Sequence, residues 1–244
     1  MLPFLYTAVV YVVGRMLWYS DDRPRPWTVL AAIGALQSIL IAAAVRAPLV
    51  WYIAVAGLQV TLALAAAATE SMVHVRESAR LASRLCGLVI GAVALGYAAG
   101  QGGVVIRPAW SHVAAAVASR LAFGSVLASV SWPPFWSRTL GAALCLSEGG
   151  TVVRLSMVLL EVQPPAPGNN FQRSGLIGSV ERLLVLVFVL NGAFNAVAFI
   201  LTAKSVVRFH DIVSTKDAAE YVLIGTLLST LTAIGIGLLV PLLA

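Results

Sequence analysis

The chain has 244 residues, 60% of them apolar and 11% charged, with a formal net charge of +6. Soluble domains carry about 25% charged residues, so this balance and a mean hydropathy of +0.93 exclude an ordinary soluble protein. On a soluble chain the surplus of basic residues would suggest nucleic acid, but here they gather in short loops between apolar runs, the pattern of membrane orientation, and no nucleic-acid partner is expected.

Apolar runs of roughly 18 to 27 residues recur along the chain, and about 20 residues of helix cross about 30 Å of hydrocarbon. A closed barrel would show short alternating segments instead. The expected fold is therefore all-α: a polytopic transmembrane helix bundle of seven or eight spans, at 2–19, 27–45, 48–69, 85–100, 112–130, 139–161, 176–203 and 220–243. The sixth is the one expected to be broken or re-entrant. Trp18, Trp27, Trp51, Trp110, Trp132 and Trp136 fall at or beside these ends, where an amphipathic indole prefers the interface.

The first run lacks a basic region ahead of it and an evident cleavage site, so it reads as a retained span. Its Arg15 lies one turn from Trp18 and Tyr19 and is expected to snorkel to the interface. In the loop HVRESARLASR, Arg76, Arg80 and Arg84 recur every four residues along one helix face. That face suits anionic membrane lipid, and it equally suits an ordinary stop-transfer loop. Gly87, Gly91, Gly96 and Gly100 form two GxxxG spacings in the fourth run, which favour close packing against another helix of this chain, a second copy or a different subunit. Cys86 and Cys145 lack metal-ligand spacing and read as buried thiols.

In the sixth run, Glu148 precedes Gly149 and Gly150. Paired glycines weaken a helix, and a break at membrane depth is tolerated only where protein or a water-filled cavity receives the freed backbone groups. Regular helix is expected to stop there, with Arg154 and Glu161 on one face beyond it. The loop QPPAPGNN then divides 1–162, the N-terminal membrane helices, from 176–244, a two-helix module, with 163–175 as the connection in one integral membrane unit.

The run from Leu176 to Ala203 reads as one long span. On it Glu181, Phe188, Gly192 and Asn195 share a stripe, with Arg182 and Asn191 nearby. At about 1.5 Å per residue, Glu181 and Lys204 lie near opposite membrane faces and cannot meet. Lys204 is instead expected to pair with Glu220 at a cytoplasmic boundary between antiparallel last spans. Loops with Arg23, Arg25, Arg76, Arg80, Arg84, Arg138, Lys204, Arg208 and Lys216 form one side. Only Arg46, Arg107 and Arg173 belong to the other. The richer side is cytoplasmic, which leaves both termini outside.

The last two runs, SGLIGSVERLLVLVFVLNGAFNAVAFILTAKSVVRF and KDAAEYVLIGTLLSTLTAIGIGLL, resemble the C-terminal part of the bacterial membrane family catalogued as domain of unknown function 3307. The likeness rests on Gly178, Glu181, Arg182, Leu183, Gly192, Ala198, Phe199, Ala203, Lys204, Ser205, Arg208, Phe209, Ala219, Glu220, Tyr221, Gly225, Thr226 and Ser229. It covers about the last 70 residues. The front half departs from the family's opening His-Leu and Asp-Phe pattern. The resemblance implies a multi-pass protein of the bacterial inner membrane and supplies no activity.

No GxxxxGK[ST], GxGxxG setting, HExxH or GxSxG is present, so neither catalytic residues nor a cofactor nor a metal is expected. Three readings follow. The first is transport or channel-like passage of a small solute or ion along Glu148, Arg154, Glu161, Glu181, Arg182, Asn191 and Asn195. The second is a non-catalytic membrane subunit or scaffold, and the third a lipid-modifying enzyme at the cytoplasmic face. Convergence of the polar residues on one cavity would favour the first, and a dry bundle the second.

Overall fold

The computed structural model describes residues 2–20, 23–24, 27–71, 77–100, 103–107, 131–162, 171–207 and 216–243. Nearly all of them are helical. The helices are α1 (Leu2–Trp18), α2 (Trp27–Ala44), α3 (Leu49–Ser71), α4 (Glu77–Gly100), α5 (Trp132–Ser147), α6 (Gly149–Leu159), α7 (Phe171–Leu190), α8 (Phe194–Val207) and α9 (Lys216–Leu239), with a closing 3-10 turn at Val240–Leu243. Two ribbons of two-residue strands punctuate the front: β1 (Tyr19–Ser20) pairs with β2 (Arg23–Pro24), and β3 (Val45–Arg46) with β4 (Val105–Ile106), both antiparallel.

The chain divides into two compact units. One comprises Met1–Val73, Cys86–Leu140 and Leu243–Ala244; the other comprises His74–Leu85 and Gly141–Leu242. The division falls elsewhere than at the expected 163–175 connection, of which 163–170 lies outside the described residues. So do the expected span 112–130 and Arg76.

The helical class is as expected, whereas the number of spans is not. Among the described residues, Glu77–Ala98 and Ala219–Leu243 are long and apolar enough to cross a membrane, and the bent pair Pro133–Ser147 and Gly149–Leu159 makes a third if taken as one span. Leu2–Leu17, Thr28–Ala44, Leu49–Ala65 and Phe194–Val206 are apolar but shorter. In the run 176–203 hydropathy had merged a turn into the span, while 2–19 and 27–45 are single helices too short to count.

In the first unit, α1 is buried over most of its circumference: Leu5, Tyr6, Thr7, Ala8, Val9, Tyr11 and Val12 are all covered. The glycines of α4 make room for it. A Cβ on Gly91 would lie 2.4 Å from the Tyr11 hydroxyl oxygen, and one on Gly96 would touch Phe4. Tyr11 donates its hydroxyl proton to the carbonyl of Gly87 at 3.0 Å. Three of the four GxxxG glycines are thus occupied within the chain, Gly87 by Arg15. Arg15 does not snorkel. It is 2% exposed, with its guanidinium 5.8 Å from the centre of the Tyr11 ring.

The second unit is built on α7. Val185, Leu186 and Val189 of α7 join Cys145 of α5, Val197 of α8 and Ala233 of α9 in one core. Gly237 of α9 lies against Val189, and Gly141 of α5 against Val240 and Ile236. Because Ser229 meets Arg182 while Gly237 meets Val189, α9 runs parallel to α7.

The expected span 176–203 is two helices. Ala193 N–H bonds the carbonyl of Phe188 at 2.8 Å and Gly192 N–H that of Val189 at 3.0 Å, the paired bonds of a Schellman cap with its left-handed residue at Gly192, φ +69°. Only glycine takes that conformation without steric cost. The chain then starts α8 back along α7. Arg173 and Lys204, expected on opposite faces, therefore lie toward the same end of the hairpin.

Candidate functional site

The most polar buried point of the second unit is the junction of α5 and α6. The two helices bend by 44° across Glu148. Some helical bonds survive, since Glu148 N–H reaches the Leu144 carbonyl at 3.0 Å and Val152 N–H that of Glu148 at 2.9 Å. The carbonyl of Cys145 is instead taken by a side chain: Arg182 Nε donates to it at 3.1 Å. The remaining arms of the guanidinium donate to Ser179 Oγ at 3.0 Å and, more weakly, to Ser229 Oγ at 3.5 Å. A single planar fork thus ties α5, α7 and α9 together, which a lysine's point charge would not do.

The glycines have a steric as well as a conformational purpose. A Cβ on Gly149 would stand 2.9 Å from Arg182 Nε, closer than atoms approach, while Gly150 and Gly178 border the same guanidinium at ordinary contact. Glu148 is buried, 6% exposed, as is Arg182 at 7%. The positive end of the α6 dipole also points at the break. The hydroxyl of Ser147 is buried and makes no hydrogen bond.

At the residue before Arg182 on α7, Lys204 of α8 donates to the carboxylate of Glu181. Both side chains are largely covered, at 15% and 22% exposure. The hairpin makes this contact, and the expected opposite-face placement is overturned by the cap at Gly192. The ammonium expected to meet Glu220 is engaged by Glu181, and Glu220 is exposed on the first turns of α9.

Of the residues expected along a polar path, Arg182 lies against Gly149, next in the chain to the buried Glu148, and Glu181 precedes it on α7, whereas the others are exposed. Arg154 points to the surface, where it meets Glu77 at 3.4 Å. Glu161 is exposed and terminates α6 in a left-handed conformation, φ 56°, with Val162 N–H on the Met157 carbonyl and its own N–H on that of Val158. Asn191 is exposed and folds its amide onto the Val187 carbonyl at 2.7 Å, and Asn195 is exposed at the start of α8. The arginine face of α4 is also not presented outward: Arg84 is buried and the Nε of Arg80 is covered.

Sequence reasoning missed the three acceptors of Arg182. Ser179 stands one turn before it, and Ser229 is a hydroxyl inside the apolar run of α9; both were visible as polar residues in a span. The Cys145 carbonyl carries no sequence signal of its own. No group of three or more metal-ligating side chains occurs among the described residues.

No protein-family model matches the chain, and no curated protein or solved structure does so either.

Proposed function

We propose that the protein is a multi-pass protein of a bacterial inner membrane and that its second unit serves transport or channel-like passage of a small solute or ion. One observation carries the reading: a helix broken at Glu148, with the buried Arg182 guanidinium seated on the break. Irregular backbone at membrane depth is stable only beside protein or a hydrated path, and transporters form substrate sites at such interruptions. The apolar composition supports the membrane setting. On this reading the shorter helices, about 20–26 Å long at 1.5 Å per residue, also lie in the bilayer, which thins locally around them. The likeness of the last two runs to domain of unknown function 3307 supports the bacterial setting.

The test is flux. Purified full-length protein is placed in liposomes, and chloride, potassium and proton fluxes and swelling in glycerol are measured. The expected result is passage of at least one probe above protein-free vesicles, reduced about tenfold or more by Arg182→Gln, the loss of about 1.4 kcal/mol or more of interaction. Folded wild-type protein that passes none of them contradicts the reading.

A second reading, a non-catalytic membrane subunit, is favoured by one specific observation. Arg154, Glu161, Asn191 and Asn195 lie at the surface instead of lining a path with Arg182.

A further inference from the structure

In the first unit an apolar groove of about 460 Å³ lies between α3 and the end of α4. Val50, Trp51, Val55 and Leu58 of α3 and Tyr97 and Ala98 of α4 line it. Its volume is that of a small-molecule site, about 300–1,000 Å³. Along α3 the lining runs from Val50 to Leu58, about 12 Å at 1.5 Å per residue. That is most of one leaflet of a bilayer whose hydrocarbon is about 30 Å thick. The indole N–H in the wall is already served, because Trp51 Nε1 donates to the carbonyl of Ala98 at 2.8 Å. An occupant therefore needs no acceptor at the indole, and a hydrocarbon chain offers none.

One end of the groove is charged. Pro48 and Val104 belong to the lining there, and the β3–β4 ribbon sets an arginine beside each. Arg46 pairs with Val105, the neighbour of Val104. Arg107 follows the ribbon, its N–H on the Ala44 carbonyl at 2.8 Å and its Nε on the Val45 carbonyl at 3.2 Å. The Tyr52 hydroxyl donates to that same Val45 carbonyl at 2.6 Å, and the Tyr52 ring stands edge-on to Trp51, 5.5 Å between centroids. One carbonyl thus ties the Arg107 guanidinium to the wall of the groove. Both arginines are exposed, and neither forms an ion pair among the described residues. The positive end of the α3 dipole points the same way.

Two cations at the mouth of a hydrocarbon slot match an amphiphile with an anionic head. We propose that the groove takes one acyl chain of an anionic glycerophospholipid whose phosphate rests on Arg46 and Arg107. With Nε committed to Val45, Arg107 keeps its Nη1 and Nη2 for the head, and a guanidinium fork suits phosphate oxygens. Trp51, Tyr52 and Tyr97 then lie at the interfacial depth that aromatic side chains prefer. A neutral lipid would fill the slot and leave the arginines unanswered, whereas free phosphate would leave the slot empty. A second copy docked two-fold on this face would bring like charges together. The inference rests on the membrane reading above but not on transport.

The experiment places full-length protein in vesicles of equimolar phosphatidylglycerol and phosphatidylcholine with the same acyl chains. Mild detergent then extracts it, and non-denaturing mass spectrometry counts the lipid retained. One phosphatidylglycerol per chain is expected, favoured about twentyfold over phosphatidylcholine. Arg46→Gln and Arg107→Gln should each lower that preference about fivefold, the equivalent of about 1 kcal/mol. Arg138→Gln, which removes an exposed arginine of α5, should leave it unchanged. Ala54→Phe, which puts a ring into the groove, should lower retention of both lipids; the arginine variants, which alter exposed side chains, decide the matter if that variant does not fold. No retained lipid, equal retention of the two lipids, or a loss in Arg138→Gln as large as in Arg46→Gln overturns the proposal. So does full retention by folded Ala54→Phe or a lipid-free dimer in the spectrum. Release of the protein from native membranes by alkaline carbonate overturns the membrane reading, and this proposal with it. A membrane-resident protein without the lipid preference overturns the lipid site alone.

Discussion

Lys204 donates to the carboxylate of Glu181, 23 residues earlier in the chain, because the Gly192 cap sends α8 back along α7. Straight helix would separate them by about 34 Å. The pair is largely shielded, so each charge depends on the other for solvation. Glu181→Gln and Lys204→Met should each lower the unfolding temperature in detergent, and the double variant should lose less than the sum. A coupling of about 1–2 kcal/mol is expected from the cycle. Additive losses would mean that the contact contributes nothing.

Arg182 should be less replaceable than either. Arg182→Lys keeps the charge but cannot hold Cys145, Ser179 and Ser229 with one fork; a loss of about 3 kcal/mol is expected, with Arg182→Gln at least as damaging. Gly149→Ala attacks the same point from the other side by pushing Arg182 off the break, at about 1–3 kcal/mol. Gly150→Ala, which would make only ordinary contact at 3.7 Å, should be milder. Chemical unfolding of the four variants side by side checks the order.

The parallel docking of α7 and α9 has its own test. A Cβ on Gly237 would lie 2.7 Å from a methyl carbon of Val189, so Gly237→Ala should cost about 1–3 kcal/mol through overpacking. Val189→Ala opens the space that the new methyl needs. The double variant should be more stable than the sum of the singles by about 1 kcal/mol, which would not occur if α9 lay elsewhere.

Glu161 ends α6 with φ 56°, a conformation that costs a non-glycine residue about 1–2 kcal/mol. Glu161→Gly should raise stability by roughly 1 kcal/mol and leave flux unchanged, because the carboxylate is a terminator here and not part of a path. Reduced flux with unchanged stability would restore the role that spacing alone suggested.

These residues mark how far the sequence could be read. Glu148-Gly-Gly was legible because paired glycines weaken the helix beside an ionisable residue that is costly within a span. Asn191-Gly192 has the cap chemistry of a helix end, but the apolar residues on both sides continue without a drop in hydropathy, and periodicity cannot distinguish one long span from a hairpin. Arg15 was misread for a different reason. Its distance from Trp18 along the chain suggested an interface, whereas its burial comes from α4, whose glycines lie more than seventy positions later at Gly87 and Gly91. Acceptors such as the Cys145 carbonyl belong to backbone geometry, which residue types do not encode.

The hairpin can be measured directly by the distance between spin labels at Val180 and Ser205, both exposed, by double electron–electron resonance in liposomes. Antiparallel packed helices have axes about 8–10 Å apart, so α8 folded back on α7 predicts a narrow distribution below about 20 Å after allowing for the label arms. A single continuous helix from α7 through α8 would place the same positions about 38 Å apart at 1.5 Å per residue. A distribution centred there would contradict the hairpin, and with it the seating of Lys204 on Glu181.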